Sequence, residues 1–391
     1  MKNKMINFIK NIAFFSINIY RGVLFRLFTL LPVKNNFVFV NCFDGKGISD
    51  NPKYIFLQLK QIRPNLKFFW TYSKSEKSTY SNSYYVKAFS IKAIYYQARS
   101  KIWVSNVRMP YYATKRKRQQ YVHTWHGGLG IKKIEQECED SLSSRYIRTA
   151  KHDSKMIDYY ISPNEDTSKL YLNNFWYSGG KICKYGSARN DIFFSDAKLQ
   201  AQHVISKLKL DPQKKTVLYA PTFRKNNRFD EYNIDFRRLT SSLSERFGGE
   251  WQVVVRLHPR LSNSSGAYMT NHPSVFDGSM VEDVQDLLVA TDALITDYSS
   301  IGFDFMCTNR PIFLYATDIE TYRRDRDFHV PLEKLPFSLA DSNSSLCENI
   351  AGFDAKSYAH RLESFRNEYG LIDDGKASIR TAKLINLLVE G

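Results

Sequence analysis

Cysteine is scarce and scattered. The five residues, Cys42, Cys138, Cys183, Cys307 and Cys347, are odd in number and include no Cys-x-x-Cys pair. That excludes a disulfide framework and a structural zinc site, and fits a reducing cytoplasm. With 18 glycines and 12 prolines in 391 residues, a collagen-like or linker-dominated chain is excluded. Acidic residues are missing from the start of the chain, the first being Asp44. Long apolar runs are missing too: before residue 35 the longest uncharged stretch is Asn11–Tyr20, well short of the roughly 20 residues that span a bilayer. No small-residue cleavage site follows it, so a signal peptide fits poorly. There is no His-Glu-x-x-His, no Asp-x-Asp beside a strand, no Walker A loop and no Gly-x-Ser-x-Gly elbow, so no metal site is expected.

What is present is positive charge. Lys and Arg number 56 against 39 Asp and Glu, a net +17, which implies a polyanionic partner: nucleic acid, an anionic membrane or a phosphate-rich substrate. Hydrophobic residues at 43% with 24% charged build substantial cores and exclude disorder. At roughly 150 residues per domain, the length suggests two.

Residues 1–36 form the first segment. Lys2, Lys4, Lys10, Arg21, Arg26 and Lys34 alternate with Phe, Leu and Ile, as in a helix lying in the headgroup region of an anionic leaflet; a buried helix with a snorkelling rim is the alternative. From residue 37 short apolar runs alternate with helix-length segments. Phe37–Cys42, Lys67–Tyr72, Tyr84–Ala88, Ile102–Ser105, Tyr121–Trp125, Asp158–Ser162 and Ile182–Tyr185 read as strands of a sheet covered on both faces. Pro52–Gln61 and Ile91–Arg99 read as helices between them. After the charged segment 195–215, which contains the helix-like Lys198–Leu208, a second series follows: Thr216–Ala220, Trp251–Leu257, Ser274–Phe276, Ala293–Thr296 and Pro311–Tyr315, with Asp283–Ala290 helical. The expectation is an α/β chain of two βαβ units, 37–195 and 196–391, hinged near 190–215 and enclosing a cleft at their strand carboxyl ends.

Candidate chemistry sits at those ends. Tyr121–Gly130 places His126 just before Gly127, Gly128 and Gly130, with Lys132 and Lys133 beyond. A mostly neutral imidazole can accept a proton there, while glycines let the backbone approach an anion. His123, on the opposite face by period-two alternation, reads as structural. Arg256 and His258 share a face at the end of the strand terminated by Pro259, a cation and an imidazole suited to a diphosphate. Asp297, Ser299 and Ser300 end another strand and open a helix, as an anion site or as ordinary capping. Asp297 suits a ribose or base donor, or the orientation of a histidine. Thr222 and Arg224 are donors after the strand ending at Ala220. Asp44–Gly47 and Ser49–Lys53, with Asp50 and Asn51, read equally as turn and cap chemistry and as binding residues. The run Lys115–Arg118 reads best as a solvated loop.

These signatures, in this order, resemble the CDP-glycerol glycerophosphotransferase family of teichoic acid and capsule polymer synthesis. The segments that carry the resemblance are Ser49–Lys53, Trp103–Asn106, Thr124–Gly127 with Lys132 and Lys133, Ala220–Arg224, Arg256–Pro259, Thr296–Ser300, Arg310–Tyr315 and a variant of the family's late motif at Asp325–Pro336. Ser49–Lys53 looks more like the polymerase-type members than the priming transferases. One departure is His126-Gly-Gly-Leu where the family usually has His-Gly-Thr-Pro. The resemblance implies a GT-B fold of two Rossmann-like domains, peripheral attachment to the cytoplasmic membrane face, and polyol phosphate transfer from a CDP-polyol to a lipid-linked polyol phosphate or capsule acceptor. No further cofactor is implied. It makes His126 and His258 catalytic and puts Thr222, Arg224, Arg256, Asp297, Ser299 and Ser300 at the donor, with Gly127, Gly128, Lys132, Asp50 and Asn51 at the acceptor or its phosphate. The open rivals are CDP-ribitol-type transfer, a GT-B glycosyltransferase using a CMP-sugar, and a non-catalytic RNA- or membrane-binding protein. With the membrane and polymer accounting for the charge, nucleic acid is not expected, and self-association is left open.

Overall fold

The computed structural model describes residues 2–73, 80, 82–222, 224, 233–257, 273–326 and 328–391. His258 and Pro259 lie outside them. The expected strands form at or within three residues of their sequence bounds, because near-continuous apolar runs can only be satisfied between two covering layers. In the first unit these are β1 (Lys34–Asn41), β2 (Lys67–Tyr72), β3 (Ser83–Lys87), β4 (Ser100–Ser105), β5 (Gln120–His123), β6 (Tyr159–Ser162) and β7 (Lys181–Lys184). They pair in parallel in the order β3-β2-β1-β4-β5-β6-β7. Alternation divides the side chains: Val38, Val40, Phe68, Trp70, Ile102 and Val104 enter one core, and Phe39, Phe69, Trp103 and Tyr121 the other.

The second unit contains β8 (Lys215–Ala220), β9 (Trp251–Val255), β10 (Val275–Asp277), β11 (Ala293–Thr296), β12 (Ile312–Tyr315) and β13 (Ser338–Ala340). Their order, β10-β9-β8-β11-β12-β13, is again parallel. The order in which strands are added reverses once in each parallel sheet, between β1 and β4 and between β8 and β11, and in doubly wound sheets ligands bind at such switch points. The fold is GT-B: two Rossmann-like sheets.

Helix α1 (Lys2–Thr29) docks on the first unit. Phe25 is buried at 1% exposure, edge-on to Trp103 at 6.1 Å, a burial worth about 1.5–3 kcal/mol. Phe15, Ile17, Ile19, Tyr20, Val23, Leu27 and Leu30 remain exposed. No described helix is long and apolar enough to cross a membrane. The expectation of a wholly solvated Lys115–Arg118 loop is corrected here. Arg116 donates to the carbonyls of Thr29, Leu31 and Ala98, satisfying groups that the end of α1 leaves open, and Lys115 pairs with Asp158 at 3.0 Å.

The chain crosses between the units twice. Helix Ala377–Glu390 returns to the first sheet, where Ala382, Ile385 and Val389 join the core of Val38 and Ile55. The first packed unit therefore takes in a helix that the sequence division at 196 assigned to the second. Asp191 caps it through the N–H groups of Ala377 (3.0 Å) and Ser378 (2.7 Å). Polar contacts seam the units further. Lys53 in α2 (Asp50–Ile62) meets Asp283 at 2.7 Å. The Ile48 N–H donates to Glu282 at 2.5 Å, beside Gly47, where a Cβ would lie 2.7 Å from that carboxylate.

Candidate active site

Strand β5 stops at His123, two residues short of the expected Trp125, because Trp125 takes a left-handed φ of 51° and turns the chain. A bulky residue there costs roughly 1–3 kcal/mol and persists only where surroundings over-determine it. They do. The Trp125 carbonyl accepts from Asn51 Nδ2 at 3.3 Å, the His126 carbonyl from Arg189 Nη1 at 2.6 Å, and the Arg189 N–H donates to Asn51 Oδ1 at 3.1 Å.

The His126 ring lies between Trp125, centroids 4.2 Å apart, and Phe43, 5.5 Å apart. A carbonyl only accepts, so Nδ1–H must donate to the Asn106 carbonyl at 2.7 Å, which leaves the proton-accepting lone pair on Nε2. No described residue hydrogen-bonds Nε2. Burial first, and the Arg189 cation next, hold this imidazole below its ordinary pKa, outweighing the opposing Asn106 bond and Glu135 charge. It is neutral at pH 7 and poised to take a proton. His123 is fully buried against the Tyr121 hydroxyl at 3.1 Å, and burial drives its pKa well down. It is a packing residue.

Asp50 and Asn51 face inward, not into open space. Asp50, at a φ of 58°, accepts from Arg189 at 3.1 Å and Asn106 Nδ2 at 3.2 Å. Burial lifts its pKa to about 6 despite Arg189. The second Arg189 nitrogen reaches Asp304 of the second unit at 3.0 Å. Gly127 and Gly128 do not need left-handed backbone, and a Cβ at either would make ordinary contacts at 3.6 and 3.7 Å.

In the second unit Asp297 spans the β8/β11 switch point. It accepts from the Thr222 N–H at 2.9 Å, the Thr222 hydroxyl and the Tyr298 N–H at 2.6 Å, and pairs with Arg224 at 2.9 Å. It organises the strand-end loops instead of projecting into a ligand space. Arg224 also forks onto Asp318 at 2.6 and 2.9 Å and lies over Tyr298 and Tyr322 at 4.9 and 5.0 Å. Lys132, from the first unit, reaches this same stack, its ammonium 5.5 Å from the Tyr322 ring. Ser299 Oγ accepts from the Ile301 N–H at 3.3 Å, and Ser300 precedes the short helix Ile301–Phe305. Arg256 donates to the carbonyls of Gly278 (3.1 Å) and Val281 (2.7 Å), and burial lowers its pKa.

The candidate residues thus form one set around His126 (Asp50, Asn51, Gly127, Gly128) and one around Asp297 (Thr222, Arg224, Lys132, with Ser299 and Ser300 following), while Arg256 stands beside the 278–281 loop. Reading the sequence missed Arg189, Asp304, Asp318 and His329. The signal for Arg189 was there: Gly186-Ser-Ala-Arg-Asn-Asp191 follows strand β7 as the other glycine-bearing polar runs follow theirs.

Residues 23–387 match the model of the family described as CDP-glycerol:poly(glycerophosphate) glycerophosphotransferase. The teichoic acid poly(glycerol phosphate) polymerase of Staphylococcus epidermidis is 30% identical over 369 residues, 90% of this chain but 51% of that protein, so this chain spans about half of its length. The teichoic acid glycerol-phosphate transferase of Staphylococcus aureus is 29% identical, with 92% of this chain and 95% of that one covered. Among solved structures, a histidine-to-asparagine variant of the wall teichoic acid polymerase TagF with CDPG superposes with a TM-score of 0.83 at 27% identity, covering 99% of this chain and 97% of that one. With strand-end chemistry, sheet order and family model in agreement over most of its length, this chain belongs to the CDP-glycerol:poly(glycerophosphate) glycerophosphotransferase family.

Proposed function

We propose that the protein transfers a polyol phosphate, glycerol phosphate foremost, from a CDP-activated donor to a hydroxyl of a membrane-linked acceptor, releasing CMP, in teichoic acid synthesis. The observation that carries this reading is the neutral, half-buried His126 whose Nε2 is left as the basic nitrogen at the carboxyl edge of the first sheet. The acceptor oxygen attacks the β-phosphorus as its proton passes to His126 Nε2. The bond from that phosphorus to the bridging oxygen breaks, and CMP leaves with the electron pair. Such a transfer needs positioning and charge stabilisation more than covalent help. Arg256, Lys132 and the Ser299–Ser300 turn supply cationic and N–H groups for the diphosphate, with His258 assigned there by the family resemblance alone. Thr222, Arg224 and Asp297 shape the donor loop. Gly127 and Gly128 leave room above His126 for the acceptor phosphate, and Asp50 and Asn51 hold His126.

Membrane attachment at the cytoplasmic face is part of the reading. The exposed Ile19, Val23 and Leu27 of α1 and Leu30 just after it, with Arg145 and Arg148 over Phe14 and Phe15 at 4.7 and 5.2 Å, suit the interface of an anionic leaflet.

The test offers CDP-glycerol, CDP-ribitol and a CMP-sugar with a lipid-linked glycerol phosphate acceptor, reading CMP release and product mass. CDP-glycerol turnover with mass increments of glycerol phosphate supports the reading. Turnover of the CMP-sugar alone sinks it, and preference for CDP-ribitol corrects the polyol.

A further inference from the structure

Arg189 lies in the segment joining the units, is 4% exposed, and touches both. One nitrogen, Nη1, holds the His126 carbonyl at 2.6 Å and Asp50 at 3.1 Å. The other, Nη2, holds Asp304 at 3.0 Å, in the helix that follows Ser299 and Ser300. Its backbone N–H holds Asn51, which in turn holds the Trp125 carbonyl. We propose that Arg189 is the positioning residue of the transfer reaction: it fixes the left-handed turn at Trp125 that aims His126, and it ties that turn to the donor-side helix start.

The geometry supports this in three ways. First, the Trp125 turn is a conformation that a tryptophan leaves unless held. The His126 carbonyl is held by Arg189 directly, and the Trp125 carbonyl by the Thr124 hydroxyl at 3.1 Å and by Asn51, which the Arg189 N–H holds in turn. Second, the planar guanidinium divides two nitrogens of one rigid fork between acceptors on separate units, a fixed separation that the single nitrogen of an ammonium lacks. Third, the guanidinium hydrogen-bonds the carbonyl of His126 and not its ring, so it acts through the backbone and through its charge. The charged and titratable groups around the imidazole are Arg189, Glu135 and His123, with Asp50, Asp304 and Arg108 behind them. Of these, Arg189 is the cation that opposes protonation of His126.

This inference rests on the reading of His126 as the base, and the experiment separates the two. Arg189→Lys keeps the charge and loses the fork. It should lower kcat by about 10–100-fold, the scale of a misplaced reacting group, with the donor KM within about twofold and the acid limb of the pH profile in place. Arg189→Gln loses both, and should lower kcat further and move the acid limb of kcat/KM to higher pH. If Arg189→Gln does not fold, Arg189→Gln with Asp50→Asn and Asp304→Asn removes both unpaired carboxylates and serves instead. Asp304→Ala removes only the donor-side acceptor of Arg189 and should raise the donor KM several-fold, with a smaller change in kcat. The His126 titration itself is followed by NMR of 13C-labelled imidazoles, with His126→Asn giving the assignment, and should shift upward in Arg189→Gln. Wild-type kcat in Arg189→Lys, or an unmoved His126 titration in the Gln variant, overturns the proposal. Full turnover in His126→Asn, with the titration shift still present in Arg189→Gln, would overturn the base assignment and leave the electrostatic link standing.

Discussion

Arg189 and Arg224 are each set between two carboxylates at the carboxyl end of a parallel sheet, Asp50 and Asp304 for one, Asp297 and Asp318 for the other. The networks then part. Around Arg224 the acceptors are consumed by local backbone, hydroxyl and guanidinium donors, and aromatic rings stack over the cation, so what results is a stiff wall. Around Arg189 the network ends on a carbonyl of the residue that carries a basic ring nitrogen, and it reaches into the other unit. In the proposed reaction one clamp builds a receptacle, while the other aims a reactive group and depends on the neighbouring unit to do so. The lesson is that two buried ion pairs of like composition differ in function according to whether an unsatisfied, reactive atom lies at the end of the chain of bonds.

If this contrast holds, the largest kinetic effect belongs to the Arg189 side. His126→Asn should lower kcat by about 10²–10⁴-fold, the usual contribution of a general base, with donor KM within a few-fold, measured by CMP release. Second, because burial and Arg189 depress the His126 pKa, kcat/KM should fall as pH drops through a value below the free-histidine value of about 6.5. A fall centred above that value would contradict the arrangement.

The wall should show itself in stability. Arg224→Ala strands Asp297 and Asp318 without their cation and should cost about 3–5 kcal/mol in urea unfolding, with weakened donor binding. A loss under about 1 kcal/mol, as for an exposed pair, would mean the wall is not rigid.

The smallest effect concerns the seam. His329 donates to Glu137 at 2.7 Å and Asp166 at 3.0 Å across the units, and these two bonds hold its pKa up to about 10. A histidine whose pKa is raised on folding stabilises fully below about 6.5, and that stabilisation fades as pH climbs through 10. His329→Gln should therefore cost about 2 kcal/mol at pH 6 after allowance for partial exposure, and less at pH 10. Denaturant midpoints of the two proteins that converge with rising pH would confirm it, and a constant gap would not.

The strands were legible because a two-sided parallel sheet demands near-continuous apolar residues, and the strand-end histidine was legible from its glycines and lysines. The stopping point of β5 was not. Apolarity continues through Trp125, and the chain turns there because the Thr124 hydroxyl, Asn51 and Arg189 hold the Trp125 and His126 carbonyls. Asp50, Asn51 and Asp297 were singled out in the sequence, yet their inward pairing with Arg189, Asn106 and Arg224 was not, because contacts between residues so far apart in the chain leave no local pattern. The seam, joining residues 192 apart such as Glu137 and His329, leaves no periodic trace.

The returning helix Ala377–Glu390 has a consequence for synthesis. A nascent chain emerges from its amino end, yet the layer over Val38 and Ile55 is finished by Ile385 and Val389. The earlier-made half must wait with part of its interior uncovered until Ala377–Glu390 has been made. Vectorial, half-by-half folding is thereby denied to this molecule, and any stop codon placed before residue 377 should yield a fragment that chaperones retain.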